Sequence, residues 1–254
     1  MDLGTVRSFR AARARGDLVL APGEAVVAGG TWLFSEPQPA LSGLVDLTTL
    51  GWEPFGLLPD GILSISATCT IEQLQAAPWG PLAGLARQAA DGLLMSFKVQ
   101  RTATVGGNLC LGLPAGAMTS LLAGLSAVAV IWTPDGGERR EPVATFVRDV
   151  RETSLAPGEV LRAIEVPAAA LTAPAALRRT SLTALGRSAA VVVGSGRRVT
   201  VTASTRRPIV LDADDLDAGL ASIDCWYDDA HGAPDWRAAV TGLLAREVVG
   251  ELGR

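Results

Sequence analysis

An α+β chain in two parts is predicted by three observations on this sequence. Up to Pro167, short β-favouring runs alternate with helix-forming stretches. Two glycine pairs interrupt that alternation, in Ala28-Gly29-Gly30-Thr31 and in Val105-Gly106-Gly107-Asn108. Beyond an alanine- and proline-rich linker, a set of β-rich segments gives way to one long helical stretch. A glycine pair placed after a strand lets backbone N–H groups turn out towards an anion, because glycine reaches positive φ and puts no side chain between main chain and ligand. Two strings of this design imply a divided cradle around one long phosphate-containing ligand.

The elements follow in order. Arg7, Arg10 and Arg13 fall at helical spacing and predict an N-terminal helix with a solvated basic face. A strand over residues 25–28 leads into the first glycine turn and a short helix from Thr31, and a strand over residues 44–46 completes a small unit that ends near Trp52. A second unit begins at Gly61, with a strand over 62–67, a helix over 70–76 capped by Thr70, and a helix over 81–90. After the second glycine turn come a helix over 118–124 and a strand over 127–133. Pro134-Asp135-Gly136-Gly137 makes the tight turn of a hairpin, and residues 161–166 alternate as a strand that stops at Pro167. Residues 168–176 read as a linker and domain boundary. The segments 180–185, 189–194 and 198–203 then form an antiparallel meander, and a helix over about 235–252 ends the pattern. The domains expected are therefore 1–167, divided into subdomains of about 1–52 and 53–167, and 177–254.

At 254 residues and 48% hydrophobic, the chain can bury a substantial core. Its net charge of -4 supplies no basic field for nucleic acid or an anionic membrane, so neither is expected as a partner. The most apolar stretch, 121–132, is too short to span a bilayer. Cys69, Cys110 and Cys225 lack the paired spacing of zinc or iron–sulfur ligands and make a poor disulfide framework. Together with a start, Met1-Asp2-Leu3-Gly4, that lacks a basic and apolar leader, this predicts a metal-free chain in the reducing cytoplasm. No G-x-x-x-x-G-K-[ST] string occurs, and Gly194-Ser195-Gly196 lacks the third glycine of a dinucleotide fingerprint. His231, the only histidine, lies in a Gly-Pro loop with no supporting triad, so no catalytic residue is expected.

With their flanks, the two strings resemble the flavin-binding medium subunit of the molybdenum hydroxylases, the group of xanthine dehydrogenase, aldehyde oxidase and aerobic carbon monoxide dehydrogenase. The likeness rests on Ala28-Gly29-Gly30-Thr31, on Arg101-Thr102-Ala103-Thr104-Val105-Gly106-Gly107-Asn108, and on the strand end Leu44-Val45-Asp46-Leu47. It continues through Pro157-Gly158-Glu159-Val160-Leu161-Arg162-Ala163-Ile164-Glu165-Val166-Pro167 and the closing segment from Asp229 to Arg237. The resemblance implies a two-subdomain FAD-binding fold of the vanillyl-alcohol oxidase type, followed by a small α+β C-terminal domain. FAD would be held non-covalently between the subdomains, on the main chain of Val27, Ala28, Gly29, Gly30, Thr31, Trp32 and Leu33. The second string would contribute Ala103, Thr104, Gly106, Gly107, Asn108 and Cys110, with Leu161 and Arg179 added from later segments. Where the family commonly places an aspartate after the second string, this chain has Ala117.

The activity implied is that of an electron-transfer flavoprotein subunit, an oxidoreductase component within a heteromer. A large molybdenum-cofactor subunit and a small subunit with [2Fe–2S] clusters would be its partners, and NAD or oxygen the acceptor. Two alternatives stay open: a stand-alone FAD-dependent oxidoreductase of the same fold, and a flavin-free scaffold subunit.

Overall fold

Leu44 and Val45 are fully buried and β-favouring, and they place β3 (Gly43–Asp46) at the centre of the first sheet. It lies between β1 (Ser8–Ala11) and β2 (Glu24–Val27), parallel to both. The computed structural model describes residues 3–253. Met1 and Asp2, part of the start read above for a leader, lie outside the described residues, as does Arg254.

The second sheet has the order β4-β5-β10-β6-β7 and is antiparallel throughout. Into it run β4 (Phe55–Leu57) and β5 (Leu63–Ser66), followed by the helices α1 (Ile71–Gln75), α2 (Gly80–Gly92), α3 (Phe97–Thr102), α4 (Val105–Cys110) and α5 (Ala117–Gly124). Next come β6 (Val128–Trp132), β7 (Glu138–Pro142), the one-turn α6 (Val143–Phe146), the ribbon of β8 (Val147–Asp149) and β9 (Glu152–Thr153), and the central β10 (Val160–Val166). Helix α1 starts where Thr70 and Gln73 satisfy each other's backbone N–H groups in a capping box. Helix α2 buries Leu82, Leu85, Ala86, Ala89 and Ala90, the stripe that a 3.6-residue period turns to one side. In β10 the register slips between Leu161 and Ala163, so the bulged Arg162 stacks 4.1 Å from the Trp52 ring while Leu161 stays inside. Trp52 in turn meets Trp132 edge to face, joining the first unit to the second.

After α7 (Ala168–Thr172), the strands β11 (Ala175–Thr180), β12 (Ala190–Ser195), β13 (Arg198–Thr202) and β14 (Ile209–Asp212) form an antiparallel sheet in chain order. Helices α8 (Leu216–Ala221) and α9 (Pro234–Leu252) follow. Strand alternation gives this sheet two apolar faces: Val192 and Val201 pack with Leu244 and Val248 of α9, whereas Val191 and Val193 join the core beneath α5. All eight residues of α5 are buried. Its Gly124 lies so close to Val193 that an added Cβ would fall 2.4 Å from a valine methyl, and Ser120 Oγ lies 2.6 Å from Thr202 Oγ1.

The structure corrects several sequence expectations. The N-terminal helix is absent, because the arginine spacing marks a solvated edge strand whose Arg10 reaches across to Glu24 at 2.8 Å. Thr31 begins a series of turns and no helix. The second glycine pair follows helix α3, not a strand, and lies inside α4. The linker holds α7 and the start of β11, and β11 ends at Thr180, where a strand over 180–185 was expected to begin.

Candidate functional site

A cleft of about 560 Å³ opens where the end of β2 faces α4 and β10. Val27, Ala28, Gly29, Gly30, Thr31, Trp32 and Leu33 line one wall. Ala103, Thr104, Gly106, Gly107, Asn108, Cys110 and Leu161 line the other. Arg179 is not among the lining residues; its side chain packs beside Gly92.

The two strings have different chemistry. In the first, Gly29 approaches the second string so closely that a Cβ would stand 2.0 Å from Thr102 O, and Gly30 takes a φ of +64° that only glycine adopts without strain. The turn is closed by Phe34 N–H donating to Gly30 O and Ser35 N–H to Trp32 O, each at 2.9 Å. The N–H groups of Gly29, Gly30, Thr31, Trp32 and Leu33 have no protein acceptor among the described residues. A run of unengaged main-chain donors around a concave wall is what an anion requires. In the second string the amides are engaged: Val105 donates to Cys69 O at 2.8 Å, Gly106 to Ala67 O at 2.9 Å and Gly107 to Thr104 Oγ1 at 3.1 Å. The expectation that both strings offer amides is therefore corrected, and the second contributes a smooth surface instead. Gly107 is exposed there, and a Cβ on it would meet only Thr104 Oγ1, at 2.9 Å.

Side chains set the charge of the cleft. Glu159 is neutralised by Arg139 at 2.7 Å, a hydrogen bond that holds its carboxyl below the usual range. Arg151 pairs with Glu36 at 3.1 Å and stands 5.8 Å from the Trp32 ring centre. Arg187 reaches the cleft from the loop before β12 and is exposed, without an ion pair among the described residues. Cys110 is exposed on the cleft wall, and the surrounding protein pushes its thiol up, which favours the protonated form. Asn108 Oδ1 accepts from Met118 N at 2.8 Å, tying α4 to the first turn of α5, where Ala117 is buried. Trp32 Nε1 is enclosed and has no acceptor among the described residues.

Sequence reading missed the apolar end formed by Leu93, Leu94, Met95 and Val99, and both cleft arginines, Arg151 and Arg187. Leu93 to Met95 follow α2, where Leu94 N–H donates to Asp91 O and Met95 N–H to Ala90 O, the pair of bonds that ends a helix on a left-handed residue. That residue is Leu94 at φ 59°, so the glycine that usually signals such an end is missing. Arg151 takes the same left-handed backbone, at φ 60°, in the turn between β8 and β9.

Residues 10–169 match the model of the family described as the FAD binding domain in molybdopterin dehydrogenase. Among solved structures the chain is similar to quinoline 2-oxidoreductase from Pseudomonas putida 86, at 20% identity over 99% of this chain and 98% of that one, with a TM-score of 0.82. It is also similar to reconstituted CO dehydrogenase from Oligotropha carboxidovorans, at 22% identity over 98% of both chains and a TM-score of 0.83. Carbon monoxide dehydrogenase from Hydrogenophaga pseudoflava gives 21% identity over 98% of both chains and a TM-score of 0.81. These likenesses establish the fold. No curated protein matches the chain in sequence.

Proposed function

This chain belongs to the family of FAD-binding domains of molybdopterin dehydrogenases, and from that premise we propose that it is the electron-transfer flavoprotein subunit of a heteromeric molybdenum hydroxylase. The observation that carries the reading is the cleft, where the free N–H groups from Gly29 to Leu33 face the bare surface of Gly107. The residues present fit FAD. The unengaged amides suit a diphosphate, the exposed Arg187 adds positive charge, and the apolar end at Leu93 to Met95 and Val99 suits a flat ring system. When bound, FAD supplies the capacity to accept and release electrons.

In this reading the chain's own residues bind and orient the cofactor and shield its diphosphate from water. A large molybdenum-cofactor subunit and a small [2Fe–2S] subunit deliver the electrons, and NAD or oxygen is the acceptor. The division into 1–52, 53–167 and 177–254 belongs to the same proposal, supported by three core clusters each drawn mainly from one part, although Val160 joins the first and Leu177, Val191, Val193 and Ala203 join the second. So does a place in the cytoplasm; no helix among the described residues is long and apolar enough to cross a membrane.

The test is an absorbance spectrum of the purified chain before and after acid precipitation. One FAD per chain, released into the supernatant, is expected. A colourless protein that takes up no added FAD would sink the reading, and flavin remaining in the pellet would sink its non-covalent part.

A further inference from the structure

Trp32 follows the first glycine turn, and its indole brings a donor and no acceptor. That donor, Nε1–H, is enclosed by protein and unpaired, although the side chain lines the cleft. A buried donor in this state is destabilising, and native structures rarely leave one without a use. The segment carrying it is irregular, with residues 31–35 in turns, so the ring can swing on its side-chain bonds without breaking a helix or a strand ladder.

A second donor stands beside it. The Arg151 guanidinium lies 5.8 Å from the indole centre and also lines the cleft. Its backbone is fixed at φ 60°, with N–H donating to Gly112 O at 2.7 Å, and Glu36, four residues after Trp32, holds the guanidinium at 3.1 Å. One cation and one neutral N–H, next to the free amides of the first string, favour an anionic acceptor over a hydroxyl or a ring nitrogen.

We propose that Trp32 Nε1–H and Arg151 form a side-chain arm of the cradle that closes on a phosphate oxygen of a nucleoside diphosphate moiety, with Glu36 keeping Arg151 poised beside the indole. This rests on the reading that the cleft holds FAD, and it adds to the main-chain donors two side chains that act as a pair.

The probes are FAD and ADP, titrated into the full chain and into Trp32→Phe, Arg151→Gln and the double variant. Trp32→Phe keeps a ring in place and removes only the donor, and thermal melting checks that each variant is folded. Each single change should weaken ADP and FAD about tenfold. The double variant should lose less than the product of the two, the sign of a shared partner. In a 15N spectrum, the indole signal missing from Trp32→Phe should move when ADP binds the unaltered chain. Unchanged ADP affinity in Trp32→Phe, losses that simply multiply in the double variant, or an indole signal that stays in place with ADP bound, overturns the arm while leaving FAD binding intact. Failure of the unaltered chain to bind either nucleotide overturns the FAD reading and the arm together.

Discussion

Two glycines on facing walls of the cleft respond differently to a side chain. At Gly29 a Cβ would collide with the backbone of Thr102, so even alanine forces the strings apart. At Gly107 the only neighbour is the capping hydroxyl of Thr104, and beyond it the residue is exposed to the cleft. Gly107→Val should therefore keep the fold, at a cost of about 1 kcal/mol if the Thr104 cap is displaced, while FAD is lost. Circular dichroism would follow the fold, and fluorescence of flavin released by acid would follow occupancy. Normal occupancy in a folded Gly107→Val protein would remove this wall from the site.

Helix α9 is held by a residue that hydropathy would place outside. Arg237 is 1% exposed; its Nε donates to Gly232 O at 2.8 Å, its Nη1 to Ala189 O at 3.0 Å and to Ala203 O, and its Nη2 pairs with Asp229. The guanidinium thus gathers the end of the loop before β12, the left-handed Ala203 after β13, and the start of α9. Arg237→Ala should lower stability by about 3–5 kcal/mol, because it strands Asp229 and buried carbonyls without a donor. Urea unfolding measures it, and a loss under about 1 kcal/mol would show that the network is dispensable. Legibility varied along the chain for similar reasons. Helix α1 was readable because Thr70 and Gln73 form a local signal, and the hairpin at 134–137 because proline and glycine fix it. Strand β1 was misread because Arg10 answers to Glu24, a partner supplied only by the fold. In the cleft, the glycine strings were visible, whereas Leu94, Arg151 and Arg187 were not. Two of these adopt left-handed backbone without glycine, and the third arrives on a loop beyond β11.

At the scale of the whole molecule, no group of three or more His, Cys, Asp or Glu side chains that could hold a metal gathers among the described residues. As the electron-transfer subunit proposed above, the chain alone should leave bound FAD unreduced by aldehydes, purines or other N-heterocycles. Anaerobic mixing followed at the flavin absorbance band checks this, and rapid bleaching by the isolated chain would move the stand-alone oxidoreductase ahead of the subunit. Helix α5 has a wider consequence. Its eight buried residues face α2 and α4 on one side and the C-terminal sheet on the other, through Val193 against Gly124 and Thr202 against Ser120. Neither half has a complete interior by itself, so the cofactor cleft and the C-terminal sheet are not interchangeable modules. A recombinant that joined residues 1–167 to another tail would have to inherit the valine and hydroxyl pattern of β12 and β13 as well, so the two stretches have to travel together in gene shuffling.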